Sequence, residues 1–185
     1  MEKLSIKMAN LLVKKKYIEE KMYSIYQYGL QMALEIGCSF ITSIIICCLW
    51  GKVIEGIIFF VVFIPLRSYL GGFHMKSYWV CYICSCISLI VILWISSFAP
   101  DFLISWLILC VAIIIIFIEA KKAISKDIEG KHFYPKICKS IILVLIMAIV
   151  FSVGGYSSKV FLLACTSTLV AFSKLLERKK EKEVN

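Results

Sequence analysis

Two residue types that together can do nucleophilic chemistry, a histidine and a cysteine, lie seven positions apart in this chain. They are His74 and Cys81, and the pair Gly71-Gly72 comes just before the histidine. A thiol becomes a nucleophile when a neighbouring base takes its proton, and imidazole is the base that proteins use most often. The pair therefore indicates chemistry that starts from a cysteine thiolate.

The seven-residue spacing restricts how the two side chains can meet. If residues 74–81 formed one helix, His74 and Cys81 would lie about 10 Å apart along its axis. A hydrogen bond between thiol and imidazole needs roughly 3–3.5 Å. We therefore expect the helix to begin after His74 and the preceding segment to fold back over Cys81. Gly71 and Gly72 would supply the backbone freedom for that fold.

The elements that position this pair are predicted to be membrane helices. The chain has 185 residues, of which 61% are hydrophobic and 18% are charged, and that composition is typical of a polytopic membrane protein. A spanning helix needs about 20 mostly apolar residues. We predict an all-α fold, one integral membrane domain over 1–185, whose core at 27–176 holds six transmembrane helices. Their predicted bounds are 27–50, 53–70, 77–98, 101–120, 137–154 and 158–176.

The two ends of the chain differ from this core. In residues 1–26, apolar residues at helical spacing take one face and lysines take another, which predicts an amphipathic helix in the membrane interface. A cytosolic helix with a solvated charged face is the alternative. Residues 177–185 form a short basic tail, and two connections within the core, 71–76 and 121–136, are longer and polar.

The basic residues predict the orientation. With the N-terminus inside the cell, 19 of the 21 lysines and arginines fall on the cytoplasmic side, and only Lys52 and Lys159 fall outside. Both termini are therefore predicted to be cytoplasmic, and the site around His74 is predicted at the cytoplasmic side of the cell membrane. The net charge of +9 is then a signal of topology, and nucleic acid is not expected as a partner.

Cysteines are abundant, but most are expected to pack as small hydrophobic residues. There are nine, an odd number that argues against a complete disulfide framework. His74, Cys81, Cys84 and Cys86 are possible ligands for a soft metal. Because no second cluster of histidines and cysteines has regular ligand spacing, we expect neither a metal nor another cofactor.

Arg67, Gly71-Gly72, His74 and Cys81 together resemble the signature of the AgrB family, the accessory gene regulator B proteins of Gram-positive bacteria. The resemblance extends over the whole chain, through the charged N-terminal helix, about six spans, the lysine-rich segment after the fourth and the basic tail. Cys84 and Cys86 are not part of the family pattern. Cys81 has the spacing from the histidine that matches it.

The resemblance implies a membrane-embedded cysteine endopeptidase of quorum sensing. Cys81 would be the nucleophile and His74 its general base, and the substrate would be an AgrD-like propeptide cleaved in its C-terminal part. The peptide would remain on Cys81 as a thioester, and an internal cysteine or serine would then close a thiolactone or lactone ring. The family also implies a possible homodimer in the lipid bilayer.

Other residues have two interpretations each. Arg67 is predicted either to bind a substrate carboxylate or to anchor the inner membrane surface. Lys121 and Lys122 either steer an acidic peptide tail or only determine topology. Glu35, which we expect at the depth of Cys81, either orients His74 or pairs with a lysine.

Two other functional classes stay open at this stage. One is a small membrane transporter or a peptide export factor without protease activity, which would need polar residues near the membrane midplane. The other is a noncatalytic protein that binds partners in the membrane. In the second case the arrangement of His74 and Cys81 would be a coincidence.

Overall fold

The computed structural model describes residues 2–15, 17–18, 20–70, 78–98, 100–126 and 128–184, and this part of the chain is all-helical. It contains seven α-helices and two single turns of 3-10 helix, Glu20–Met22 and Ser96–Phe98. The α-helices are α1 (Glu2–Lys14), α2 (Tyr23–Leu49), α3 (Val53–Leu70), α4 (Tyr78–Ile95), α5 (Phe102–Lys126), α6 (Ile128–Val153) and α7 (Ser157–Val184).

The prediction of a polytopic helical membrane protein is confirmed. Within the described residues, five helices are long and apolar enough to cross a membrane, namely α2, α3, α5, α6 and α7. The predicted third span corresponds to α4, whose described apolar part, Tyr82–Phe98, is shorter. The side of the membrane that each end faces remains a prediction from the lysines and arginines.

The N-terminal amphipathic helix is present but shorter than the predicted 1–26. It ends at Lys14, where three consecutive lysines begin and like charges crowd together, and residues 23–26 already belong to α2. Ser5 and Ala9 are buried, and α1 packs on α2. Leu4, Met8 and Leu11 form an exposed apolar row. An apolar row that the protein leaves uncovered supports the interfacial interpretation.

The predicted polar connection 121–136 is largely helical. α5 continues to Lys126 and α6 already begins at Ile128, so Pro135 lies inside α6. Hydropathy marks only the part of a helix that has apolar surroundings, and polar turns beyond it are solvated as readily in a helix as in a loop.

Two of the tight turns between helices contain glycines in the left-handed region. Gly51 has φ +63° and Gly155 has φ +74°. Lys52 N–H donates to the Cys47 carbonyl at 2.9 Å, and Tyr156 N–H donates to the Phe151 carbonyl at 2.9 Å. These are Schellman ends, which satisfy the last carbonyls of α2 and α6 and turn the chain back at once.

Side-chain contacts show that the helices alternate in direction. Tyr69 near the end of α3 stacks on Phe133 near the start of α6, with ring centroids 6.2 Å apart. At the opposite end, Trp106 Nε1 of α5 donates to Ser152 Oγ of α6 at 3.1 Å. We call the end with Tyr69 and Phe133 the charged end and the end with Trp106 and Ser152 the turn end.

The buried core lies mainly among α3 and α5–α7, and α4 adds Leu89, Ile92 and Leu93 to it. Val62 and Leu66 of α3, Ile116 of α5, Val144 of α6 and Leu162 of α7 are all buried. α2 lies at the edge of this core, and most of its apolar residues are exposed on the surface of the bundle. In a membrane that surface faces lipid or another protein.

Polar contacts hold α2 against α4 at two levels. Tyr82 OH of α4 donates to Thr42 Oγ1 of α2 at 2.8 Å. Lys52 Nζ, just after α2, donates to the Leu93 carbonyl and to Ser97 Oγ at the end of α4. Because the residue numbers rise together from one contact to the next, α2 and α4 run parallel. The lysine also stabilises the negative end of the α4 dipole.

Gly56 of α3 lies so close to Cys47 of α2 that one methyl group added at Gly56 should destabilise the fold. A Cβ at Gly56 would lie 2.3 Å from Cys47 Sγ, whereas a Cβ at Gly37 would meet no atom within 4 Å. We expect Gly56→Ala to lower the free energy of unfolding by about 1–3 kcal/mol. Gly37→Ala should be neutral or stabilising. Thermal unfolding of the purified protein in detergent measures both, and Cys47→Ala should partly rescue Gly56→Ala. Equal effects of the two glycine substitutions on the free energy of unfolding would show that α2 and α3 do not approach closely at Gly56.

The contact between Tyr82 and Thr42 predicts a pairwise coupling. We expect Tyr82→Phe and Thr42→Val each to cost about 0.6 kcal/mol, as interhelical hydrogen bonds in membranes do, and the double variant to cost no more than one of them. The Thr42 hydroxyl also donates to the Cys38 carbonyl of its own helix. Thr168→Val is the control for the loss of such a bond, since the Thr168 hydroxyl donates to the Ala164 carbonyl of its own helix at 2.8 Å. Strict additivity in the double-mutant cycle would show that α4 is not held by this bond.

Candidate active site

The segment that contains the predicted base joins α3 to α4. α3 ends at Leu70 and the described part of α4 begins at Tyr78. Gly71, Gly72 and His74 lie outside the described residues, as does the side chain of Cys81. The predicted fold-back of the segment over Cys81 therefore stays a prediction. The backbone of Cys81 is described, and it is the fourth residue of α4.

The end of α3 is held firmly by α6 and α7. Leu66 and Leu70 are buried in the core, and Arg67 Nη1 donates to Ser173 Oγ of α7. Lys136 Nζ of α6 lies 5.6 Å from the centroid of the Tyr69 ring and 5.3 Å from that of Phe133. A lysine shared by two stacked rings is a cation–π contact. The point at which the chain leaves α3 is thus fixed.

The start of α4 is held by α2 on the other side. Besides its hydrogen bond to Thr42, Tyr82 packs edge-on against Trp79, with centroids 6.3 Å apart. Cys81 directly precedes Tyr82 in the chain. The hydrogen bond to α2 therefore fixes the backbone at the position of the predicted nucleophile.

The three cysteines of α4 occupy different faces of the helix. Residues three or four positions apart share a face, so position 81 belongs to the row of Ser85, Ser88 and the buried Ile92. Cys84 is exposed and shares its row with the exposed Ile87 and Val91, whereas Cys86 is half-buried in the row of Leu89 and Leu93. Position 81 is the one whose row is polar near the start of the helix.

Glu35 lies at a different depth from the one predicted. It precedes Thr42 by seven residues, or about 10 Å along α2, so it lies nearer to the charged end than the level of Cys81 and Tyr82. Gln31 Nε2 donates to Glu35 Oε1 at 3.0 Å, and both residues are half-buried. A contact of Glu35 with His74 would involve residues outside those described.

A buried carboxylate that the sequence analysis did not single out links α5 to α7 at the charged end. Glu119 is 5% exposed. It accepts from Lys122 Nζ at 2.8 Å and from Arg178 Nη1 at 2.9 Å. An acid at the end of a strongly apolar run, with a lysine three positions later, was the signal that could have identified it.

The lysines predicted to steer a substrate have partners within α5. Lys122 pairs with Glu119, and Lys121 Nζ lies 5.2 Å from the centroid of the Phe117 ring. Both side chains remain exposed, so their charge still contributes to the potential of the charged end. They lie on a helix and not on the predicted loop.

The described residues bring together no group of three histidines, cysteines or acids that would hold a metal ion. The eight cysteines whose side chains are described are free thiols. His74 and the side chain of Cys81, two of the four possible metal ligands, lie outside the described residues.

Comparison with known proteins identifies the family. No curated protein and no solved structure matches the chain. The family model of accessory gene regulator B, AgrB, matches residues 5–175, from α1 to the charged end of α7 and across the whole candidate site. Because this match covers far more than half of its length, the chain belongs to the AgrB family.

Proposed function

We propose that the protein is a cysteine endopeptidase that cleaves an AgrD-like propeptide and promotes its cyclisation into an autoinducing peptide. Membership of the AgrB family supports involvement in processing the propeptide of agr quorum sensing, with an AgrD-type propeptide as partner, in a multi-pass membrane protein. The catalytic residues and the chemistry below are the proposal.

One observation carries the assignment of the nucleophile. Cys81 is the fourth residue of α4, directly after the segment that contains Gly71-Gly72 and His74, and its position lies in the row of Ser85 and Ser88. Cys84 belongs to a row exposed to lipid and Cys86 to a row of buried leucines. Of the three thiols, Cys81 has the position from which a polar substrate can be reached.

The first step is an acyl transfer to sulfur. His74 takes the thiol proton, and the Cys81 thiolate attacks the carbonyl carbon of the scissile peptide bond. Collapse of the tetrahedral intermediate breaks the C–N bond, and His74 returns its proton to the leaving amine. The C-terminal fragment departs with a free amino group, and the N-terminal part remains on Cys81 as a thioester.

The second step is an exchange that needs no external energy source. A thiol or hydroxyl inside the bound peptide attacks the thioester carbonyl, and the C–S bond to Cys81 breaks. The new bond closes a thiolactone or lactone ring, and the proton of the attacking group returns to the enzyme. A thiolactone conserves most of the energy of the thioester, so the ring closes without ATP.

The remaining residues have supporting roles in this proposal. Arg67 is half-buried and bonded to Ser173, so it positions the end of α3, and its positive charge there would attract a substrate carboxylate. Gly71 and Gly72 allow the fold-back over Cys81. Lys121 and Lys122 add positive potential that attracts an acidic peptide. The active site faces the cytoplasm, and two copies of the chain form a homodimer.

Substitution of the catalytic pair tests the proposal directly. Cys81→Ala and His74→Ala should each abolish cleavage of a co-expressed candidate propeptide, followed by mass spectrometry of the peptide. Cys84→Ala and Cys86→Ala are matched controls on the same helix and should leave cleavage intact. Normal processing of the propeptide by the Cys81→Ala variant would contradict the mechanism. Peptide export or noncatalytic binding of partners would then remain as the function.

Thiol labelling tests the activation of Cys81 without any substrate. In membranes, iodoacetamide should label Cys81 faster than Cys48 or Cys84, because a base that takes the proton raises the thiolate fraction. His74→Ala should reduce the rate at Cys81 and leave the rates at the other two unchanged. Site-specific rates come from mass spectrometry of the digested protein. Faster labelling of Cys48 than of Cys81 would count against a reactive thiolate.

A further inference from the structure

An apolar groove runs along the outside of the bundle between α5 and α7. It has a volume of about 360 Å³, and α5 contributes residues from Leu107 to Ile115 while α7 contributes residues from Thr168 to Leu175. Leu107 and Phe172 are well exposed along it. The hydroxyl of Thr168, its one polar side chain, already donates to the Ala164 carbonyl.

The length and the lining of the groove indicate what kind of occupant fits. From Leu107 to Ile115 the groove spans eight helical steps, or about 12 Å at helical rise. Apolar side chains of α5 and α7 line it over that length, and it is open towards the outside of the bundle. A long, narrow apolar groove of this kind matches an extended hydrocarbon chain.

Basic residues lie where the groove meets the charged end. Lys179 is one helical turn beyond Leu175, and Lys122 is two turns beyond Ile115, so both continue the faces that line the groove. The side chains of Lys122 and Arg178 are 46% and 37% exposed although both pair with Glu119. Two cations on one carboxylate leave one positive charge uncompensated, and the exposed Lys179 adds a second.

We propose that this groove binds one acyl chain of an anionic glycerophospholipid, whose phosphate lies against Lys122 and Lys179. The groove supplies the apolar contact area and the two lysines supply the charge that selects an anionic headgroup. Basic pockets between membrane helices hold anionic lipids in this way. Glu119 holds the side chains of Lys122 and Arg178 in place. It also neutralises part of their charge, so that the lysines alone would bind a small anion weakly and the acyl chain in the groove is needed for binding.

The test measures lipid retention by native mass spectrometry of the detergent-purified chain, with no propeptide present, so its result is independent of the proposed function. Wild type should retain phosphatidylglycerol at least about tenfold better than phosphatidylcholine. The double variant Lys122→Gln and Lys179→Gln should weaken phosphatidylglycerol binding by roughly fivefold per lysine. Arg178 is left intact, because Glu119 needs a partner.

Lys121→Gln is the matched charge control. It removes the same charge from the same end of α5, but its lysine lies over the Phe117 ring and off the groove, so lipid retention should be unchanged. Thr168→Trp fills the groove and should reduce retention of phosphatidylglycerol. Val150→Trp, at an exposed position on α6, should not.

Three outcomes would overturn the proposal. Equal retention of the two lipids would remove the charge selectivity, and wild-type binding by the double lysine variant would remove the headgroup site. Competition by glycerol 3-phosphate, which has the phosphate but no acyl chain, would show a free-phosphate site. If Thr168→Trp changes the oligomeric state and leaves lipid retention intact, the groove contacts a second copy of the chain instead.

Discussion

The attachment of the last turn of α3 to α6 and α7 is the constraint on which the candidate site depends. Leu66 and Leu70 are buried, Arg67 bonds Ser173, and Tyr69 stacks on Phe133 beneath Lys136. Because these contacts come from two other helices, the chain leaves α3 at one defined place. Tyr82 fixes the place where it enters α4 through Thr42. A segment anchored at both ends can present a histidine to Cys81 reproducibly, which a segment between loosely packed helices could not.

Charged groups in this fold are compensated locally at both ends of the bundle. At the charged end, Glu119 joins α5 to α7 through Lys122 and Arg178. At the turn end, Lys52 donates to the Leu93 carbonyl near the end of α4, and Lys159 lies 4.2 Å from the centroid of the Tyr156 ring. The two lysines that depart from the orientation pattern thus both have partners within the protein, which explains how they are tolerated there.

The membrane architecture could be predicted from the sequence because the bilayer imposes length and hydropathy directly. Gly51 and Gly155 were recognisable as turns for an equally local reason, since a tight reversal after a helix needs a residue that accepts positive φ. The polarity of 121–136 does not predict that α5 continues to Lys126 and that α6 begins at Ile128. Water solvates an exposed polar helix as well as a loop, so composition alone does not distinguish the two.

The parts of the site that the sequence did not predict depend on how helices are offset along their axes. Glu35 was expected at the depth of Cys81 because both lie a few residues into a predicted span. α2 begins at Tyr23 and α4 at Tyr78, yet the hydrogen bond joins Thr42, far along α2, to Tyr82 near the start of α4. Counting residues from span ends cannot reveal such an offset. The pair of Glu119 with Lys122 is visible in the sequence, but its link to Arg178 is not, because Arg178 comes from a distant part of the chain.

The position of Cys81 also bears on why cyclisation would compete with hydrolysis in the proposed mechanism. The outward rows of α4 near Cys81, which include Trp79, Ile83 and Ile87, are exposed on the surface of the bundle and face lipid in a membrane. In the proposed mechanism, a thioester on Cys81 would have these apolar rows beside its own polar row, which would limit the water around it. An internal thiol or hydroxyl of the same peptide would be held near the thioester at high effective concentration. A lower water activity would slow hydrolysis and leave the intramolecular attack unaffected, so the apolar neighbours of the site would favour the ring.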